Sequence, residues 1–519
     1  MMVTDASQKD AVECLVGYAA FRHVFNECLA PAGRRPPPTR LVLFRRLSTF
    51  QQYCGNTNME NLQRCSLTFE VDRHAVVAFS LAGDRRDAMR TIFLFDTVWS
   101  LQRVGYSLPL WVIQGAGEVL STLRLKKGEC ILGEEPDGYW HLLDYEQWFS
   151  WPQFSDIDTA SPEYYAFERH GVYYAQAWAL MHMTLLGGPT GIRDRFEALA
   201  AQVRETPRAD ETVAAVLHLD AKRMEQEINR HLRKDLQVKI PFDEKTVRAG
   251  LKVSPVSECE VRLQLANLLL TAGKNDEANL ELQRARALAP EAPMVKEALA
   301  RRELLQGKRD LASELYREAI AVGSVNPAAY LASAEQRLAD VSLGGRDLLG
   351  EGGIPAEKAK AEIRRAIELD PGNGEAYRLL GRAFLVARHV TTAEIDELAP
   401  GVAAAKQGAW VRYYRALLYW RLGQVDACQA DFQRIIDDPQ AQDDARNMAR
   451  QQSERMRIEA VRLEVKRLVE ERKFSAALEL VDASAHASRP ADEQYQTLRA
   501  WIEEQAAQAG LKDHSAAGQ

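Results

Sequence analysis

Apolar positions along the first part of the chain follow two periods. Arg40 to Phe44 (RLVLF) is a short apolar run behind the breaker Pro36, Pro37 and Pro38, which predicts a buried strand. Cys65 to Val71 and Ala75 to Ser80 alternate apolar and polar residues around Asp72 and Arg73, as the two arms of a hairpin do. Asp87 to Arg103 and Tyr164 to Leu186 carry apolar side chains at helical spacing, many of them aromatic, and Gly187, Gly188 and Pro189 stop the second segment. Arg193 to Arg204 reads as a further helix. Strands mixed with helices predict an α+β domain over residues 1–235, and the stretch 236–256, with Pro241 and Pro255, is expected to be a linker.

Beyond the linker the chain repeats. Gly273, Ala278 and Ala285 recur as Gly307, Ala312 and Ala319, a shift of 34 residues at all three places. That is the period of the tetratricopeptide (TPR) helix pair, in which the glycine permits the tight turn and the alanines sit where the two helices cross. Pro290 closes the first copy. Ala359, Ala366 and Pro371 belong to a third, and Gly381 with Ala393 to a fourth. Trp410 to Asp437 forms a fifth, with Ala416, Tyr419, Gly423 and Phe432 in register and Cys428 as the small crossing residue. A last degenerate pair runs from Leu463 to Ala485, keeping Ala477 but carrying Arg472 in place of the glycine. The expectation is an all-α TPR solenoid of five or six repeats over 257–510 and a disordered tail over 511–519. Val341 to Ala356 holds five glycines. No Lys-Ser or Lys-Thr follows and no strand precedes it, so an expanded turn is expected there, not a phosphate-binding loop.

Composition narrows the function. A net charge of −7 gives no basic footprint for nucleic acid. No stretch approaches the ~18 apolar residues of a spanning helix, and Met1 to Asp10 lacks the basic and apolar regions of a signal peptide, which predicts a cytoplasmic location. Seven cysteines are scattered without a C-x-x-C pair, and no two of the ten histidines stand at i, i+4 spacing, so no zinc site assembles locally and no cofactor is expected.

Two phrases carry a resemblance. Leu108-Pro109-Leu110-Trp111-Val112-Ile113-Gln114-Gly115-Ala116-Gly117-Glu118, followed by Tyr173-Tyr174-Ala175-Gln176-Ala177-Trp178-Ala179-Leu180, resembles the bacterial peptidase-MA-like family. This is a domain of unknown function with a gluzincin-type metalloprotease fold, often joined to TPRs, and the likeness spans about residues 1–235. The family carries H-E-x-x-H on one helix and its third zinc ligand in W-x-x-E-G-x-A-E on another. The resemblance implies that Phe95 and Trp99 stand where the two histidines belong, Asp96 where the glutamate base belongs, and Gln114 at the third ligand. Phe and Trp offer zinc no lone pair and an amide is a poor substitute for a carboxylate, so the expectation is a pseudo-metallopeptidase without metal or catalysis. Glu118 persists as an acid beside the ligands. Relatives commonly carry a signal peptide before the opening strand, which Met1 to Asp5 resembles; with such an extension the compartment would be periplasmic or secreted.

The reading is a non-catalytic scaffold or adaptor that binds a protein or peptide on the concave face of the array. Asn267, Arg301, Arg378, Arg382, Tyr413 and Trp420 are the candidate partner-binding residues. The alternatives are a hydrolase that pairs a cysteine with His74, His141, His170 or His182, and a cell-envelope assembly factor.

Overall fold

The computed structural model describes all residues except 1, 32–38, 55–65, 72–73, 82–83, 103–107, 166–169, 189, 204–207, 235, 343–352, 403–406, 439–440, 487–491 and 517–519. The chain divides into two compact units, Met1–Ser333 and Ala334–Gln519.

The first unit opens with β1 (Met2–Thr4), α1 (Gln8–Cys28), β2 (Thr39–Phe44), α2 (Leu47–Cys54), β3 (Ser66–Val71), β4 (His74–Ser80), α3 (Arg85–Leu101) and α4 (Leu110–Ser121). Next come β5 (Arg124–Lys126), β6 (Glu129–Leu132), α5 (Tyr139–Tyr145), α6 (Trp151–Asp156), α7 (Pro162–Tyr165), α8 (His170–Leu186), α9 (Ile192–Gln202), α10 (Ala209–Leu217) and α11 (Met224–Leu232). The unit continues through β7 (Val238–Pro241), α12 (Glu244–Gly250), α13 (Glu258–Thr271), α14 (Asn275–Leu288), α15 (Pro293–Leu305) and α16 (Arg309–Ala321), and ends inside α17 (Pro327–Ser342).

The expected strand at Arg40 to Phe44 and the expected hairpin meet in one mixed sheet of order β1-β2-β4-β3, parallel from β1 to β4 and antiparallel at β3. Alternation gives the sheet two apolar faces. Leu41, Leu43, Val77 and Phe79 join the main core with α1, α3, α4 and α8. Val42, Phe44, Val71, Val76 and Ala78 form a second cluster with Phe50 of α2 and with Leu268 of α13, against which Leu265 also packs. Thus α13, the first helix of the repeat array, covers a face of the sheet. Lys274, in the turn after it, donates to the carbonyls of Gln51 and Gln52 at the end of α2.

Around α4, every residue from Trp111 to Ser121 is buried, the pattern of a helix enclosed on all sides. Two glycines make room for its neighbours. A Cβ on Gly115 would lie 2.3 Å from the Ala177 carbonyl oxygen of α8, and one on Gly117 would lie 2.8 Å from the Leu94 side chain of α3.

The stretch 236–256 is structured, not a linker. Lys239 and Ile240 pair with Ile131 and Cys130, so β7 completes a sheet of order β5-β6-β7, and Pro241 is tolerated because β7 is an edge strand. Arg248 of α12 reaches both carboxylate oxygens of Glu13 on α1. The expected helix over Tyr164 to Leu186 is two helices, α7 and α8, with 166–169 outside the described residues.

The second unit contains the rest of α17, then α18 (Gly353–Leu369), α19 (Gly374–Val386), α20 (Thr392–Asp396), α21 (Ala399–Val402), α22 (Gly408–Arg421), α23 (Val425–Ile436), α24 (Asp443–Glu470), α25 (Phe474–His486) and α26 (Asp492–Ala516). Most of the glycine-rich stretch, at 343–352, lies outside the described residues. Ala393 does not sit at a helix crossing as expected. It is exposed on α20, because Pro400 and Gly401 break the second helix of that repeat into two short pieces. The expected disordered tail is helical as far as Ala516, and 517–519 lie outside the described residues.

Candidate functional site

The repeat geometry aligns side chains along one wall of a groove. On α13, Glu260, Leu263, Gln264 and Asn267 occupy one helix face at i, i+3, i+4 and i+7. Met294, Glu297, Ala298 and Arg301 on α15 stand 34 positions later (294 − 260 = 301 − 267 = 34) and line the same cavity of about 440 Å³. The start of α17, with Val325 before it, also lines it. On another side stand Val71 and Arg40 from the sheet. Arg40 shares its strand face with Val42 and Phe44, the face that α13 covers, so the sheet and the repeats build the groove together.

Among the residues expected to bind a partner, this site brings Asn267 and Arg301 together: Arg301 Nη1 donates to Asn267 Oδ1 at 2.9 Å. Since arginine can only donate, the bond fixes the amide orientation and leaves Asn267 Nδ2 available toward the groove. Gln264 is 7% exposed, lines the cavity and has no hydrogen-bond partner among the described residues. Glu297 is occupied, accepting from Ser324 and from Asn326 Nδ2 at 3.2 Å. Met294 and Val325, 47% and 70% exposed, supply apolar surface.

The other four candidates lie in the second unit. Arg378 pairs with Glu375 one turn earlier on its own helix, Nε to Oε2 at 2.8 Å, and Arg382 is half-buried with a partner of its own. Tyr413 does not line a concave surface. It is buried edge-on against Phe432 at 5.8 Å, and Trp420 packs half-buried on the same cluster, because large aromatics there fill the seam between α22 and α23.

The four positions read as a lost zinc site do not converge on a metal. Asp96 is fully buried, accepts from Tyr18 Oη at 2.7 Å and pairs with Arg22 at 3.1 Å, so its carboxylate is committed to α1. Gln114 donates instead to Glu118 at 3.1 Å. Burial raises the Glu118 carboxyl to about 7, against the hydrogen bonds from Tyr139 and Gln114 and the charge of Arg90. Trp99 is buried and Phe95 half-buried. Two aromatic rings, an amide and an already paired carboxylate are not a zinc donor set. Among the described residues no group of three or more His, Cys, Asp or Glu is placed to hold a metal ion.

Several residues of the hydrolase alternative are engaged elsewhere or lie outside the described residues. Burial pushes the thiols of Cys28, Cys54 and Cys428 up to about 12, away from the reactive thiolate. His182 is bound to His231 at 2.8 Å and to the Gly133 carbonyl at 3.0 Å, and exposed His141 lies against Tyr145. Cys65 and the side chains of His74 and His170 are not described.

Three groove residues, Arg40, Glu260 and Gln264, were not singled out from the sequence. Glu260 and Gln264 were within reach, being i−7 and i−3 from Asn267 on the same helix face. Arg40 was not, since nothing local says that a repeat packs on its strand.

The turns complete the definition of the class. Gly273, Gly307 and Gly423 adopt φ of +74°, +78° and +73°, and the amides of Lys274, Lys308 and Gln424 bond back to Leu269, Glu303 and Tyr419 in the same way. Ala278, Ala285, Ala312, Ala319, Ala359, Ala366 and Cys428 are all fully buried at helix crossings. The chain is therefore a TPR-type helical-repeat protein with a small sheet region at its start. No family model matches the sequence, and no curated protein matches it. Solved structures similar to it are TPR proteins. A thermophilic TPR protein of Thermus thermophilus is 20% identical, with a TM-score of 0.25, over 38% of this chain and 98% of that one. YrrB, described as a TPR protein with an unusual peptide-binding site, is 17% identical at a TM-score of 0.27 over 34% and 84%. Yeast Tom70 is 13% identical at 0.26 over 59% and 66%. Among the described residues no helix is long and apolar enough to cross a membrane.

Proposed function

We propose that this chain is a protein-interaction adaptor that holds an extended segment of a partner protein in the groove between α13, α15 and the sheet. The observation that carries the reading is the pair of carboxamides lining the cavity: Gln264, which has no hydrogen-bond partner among the described residues, and Asn267, turned by Arg301 so that its amino group is available. A peptide main chain, with its own donors and acceptors, satisfies such groups on binding.

The proposal includes no catalysis. The sheet region acts as a platform, and its likeness to a peptidase is read as that of a pseudo-peptidase that has lost its zinc ligands. The test screens the full chain against an immobilised array of unstructured peptides. Asn267→Ala and Gln264→Ala should each weaken captured peptides about tenfold, and Arg434→Ala, outside the groove, should not. Peptides bound equally by all variants would place the site elsewhere. Elemental analysis should find no stoichiometric zinc and casein should stay intact; zinc and cleavage lost together on chelation would overturn the pseudo-peptidase reading.

A further inference from the structure

Within the groove two charges have no ion-pair or hydrogen-bonding side-chain partner among the described residues: the guanidinium of Arg40 and the carboxylate of Glu260. They come from different parts of the unit, Arg40 from the sheet and Glu260 from the first turn of α13. Two neighbouring charges of the repeats are instead used locally. Arg262 is tied to Glu258 and Glu281, and Lys296 to Glu318. Arg262 and Lys296 do not line the cavity, whereas Arg40 and Glu260 do, so their charges are open to what enters it.

We propose that the groove selects a segment carrying both signs of charge: an acidic side chain of the partner meets Arg40 and a basic one meets Glu260. This deepens, and rests on, the peptide-binding reading above. In the same cavity Gln264 offers one donor pair and one acceptor, the complement of a peptide unit, while Asn267 Nδ2 donates to a carbonyl. An anion alone would satisfy Arg40 and be repelled by Glu260, and a cation alone the reverse, so a free phosphate or a polybasic tail fits the cavity worse than a bipolar segment does. Because successive side chains of an extended segment point to opposite sides, charges spaced along it reach opposite walls, while its apolar side chains lie against Met294 and Val325. Arg40 then acts as a specificity residue contributed from outside the repeats.

The experiment uses the full chain and a library of eight-residue peptides in which a Glu and a Lys are placed at every separation and in both orders, with all-Glu, all-Lys and uncharged controls. The wild type should prefer one order and spacing of the two charges at least tenfold over each control. Arg40→Glu should lose that preference at the acidic position and favour Lys there, Glu260→Lys should do the reverse at the other, and Arg40→Gln should weaken binding without inverting it. Circular dichroism melts of the variants exclude unfolding, and Arg40→Gln remains informative if Arg40→Glu does not fold. Binding that depends on Gln264 and Asn267 but ignores both charge reversals overturns this proposal and leaves the adaptor reading standing. A wild type that binds no peptide of the library overturns both.

Discussion

Two buried titrating residues pull stability in opposite directions across the same pH range. Burial, followed by the neighbouring His182 and Lys234, lowers His231 from 6.5 to about 4, so between those values the unfolded chain binds the extra proton and stability is lost as pH falls. Burial raises Glu118 from 4.5 to about 7, so in that window the folded chain binds the extra proton and stability is lost as pH rises. Each shift corresponds to ~3 kcal/mol at most, and the two largely offset. Glu118→Gln should therefore make the protein visibly more acid-labile between pH 7 and 4.5, and His231→Gln should make it relatively more stable toward acid, both measured by urea denaturation at stepped pH. A wild-type slope unchanged in either variant would show that the residue does not titrate in that window. The turn residues supply a second contrast. Gly423 at φ +73° has open space around its Cβ position, so Gly423→Ala should cost about 1 kcal/mol through backbone conformation alone. Arg472 already bears that conformation at φ +57°, and Arg472→Gly should not lower the melting temperature. The glycine-to-arginine exchange at this turn was readable in the sequence. The buried pairing of His182 with His231 was not, because it joins helices 49 residues apart.

Helices and strands were visible in proportion to how local their cause is. The 34-residue shift places the small crossing residues of the first two repeats, and small residues in the same pattern mark the third and fifth, all of them buried. The fourth failed at Ala393 because a repeat marker cannot reveal that Pro400 and Gly401 have broken the helix bearing it. β7 was hidden in an expected linker because its four residues alternate too briefly to stand out beside two prolines, and only pairing with β6 makes them a strand. The close passage of α8 over Gly115 gives the test at this scale. Gly115→Ala puts a methyl 2.3 Å from the Ala177 carbonyl oxygen, which only movement of a whole helix relieves. It should destabilise the first unit by about 1–3 kcal/mol in chemical denaturation. At Gly171, where an added Cβ would meet only the flexible Leu142 side chain at 3.3 Å, alanine should cost less. Equal effects would mean that α4 and α8 are not in contact as described.

At the scale of the molecule, the boundary that composition suggests and the boundary that packing makes do not coincide. A cut near residue 256 separates Leu268 from Val42, Phe44 and Val76, and Lys274 from the end of α2. Residues 1–256 expressed alone should therefore expose an apolar sheet face, bind a hydrophobic dye and melt without a sharp transition. The full chain should bind little dye, and cooperative, dye-free unfolding of the fragment would show that α13 is not needed to cover the sheet. The repeats beginning at residue 257 would lack their cover in the same way. A helical-repeat array ordinarily meets water at its first helix and needs a polar face there. Here that helix is already occupied by the sheet. Duplication or loss of a repeat at this end would strip a core, whereas at the far end it would remove only a neighbour. The array can therefore change length during evolution from one end only, and a segment held beside the sheet, as proposed, would stay at a fixed address while repeats are added or lost elsewhere.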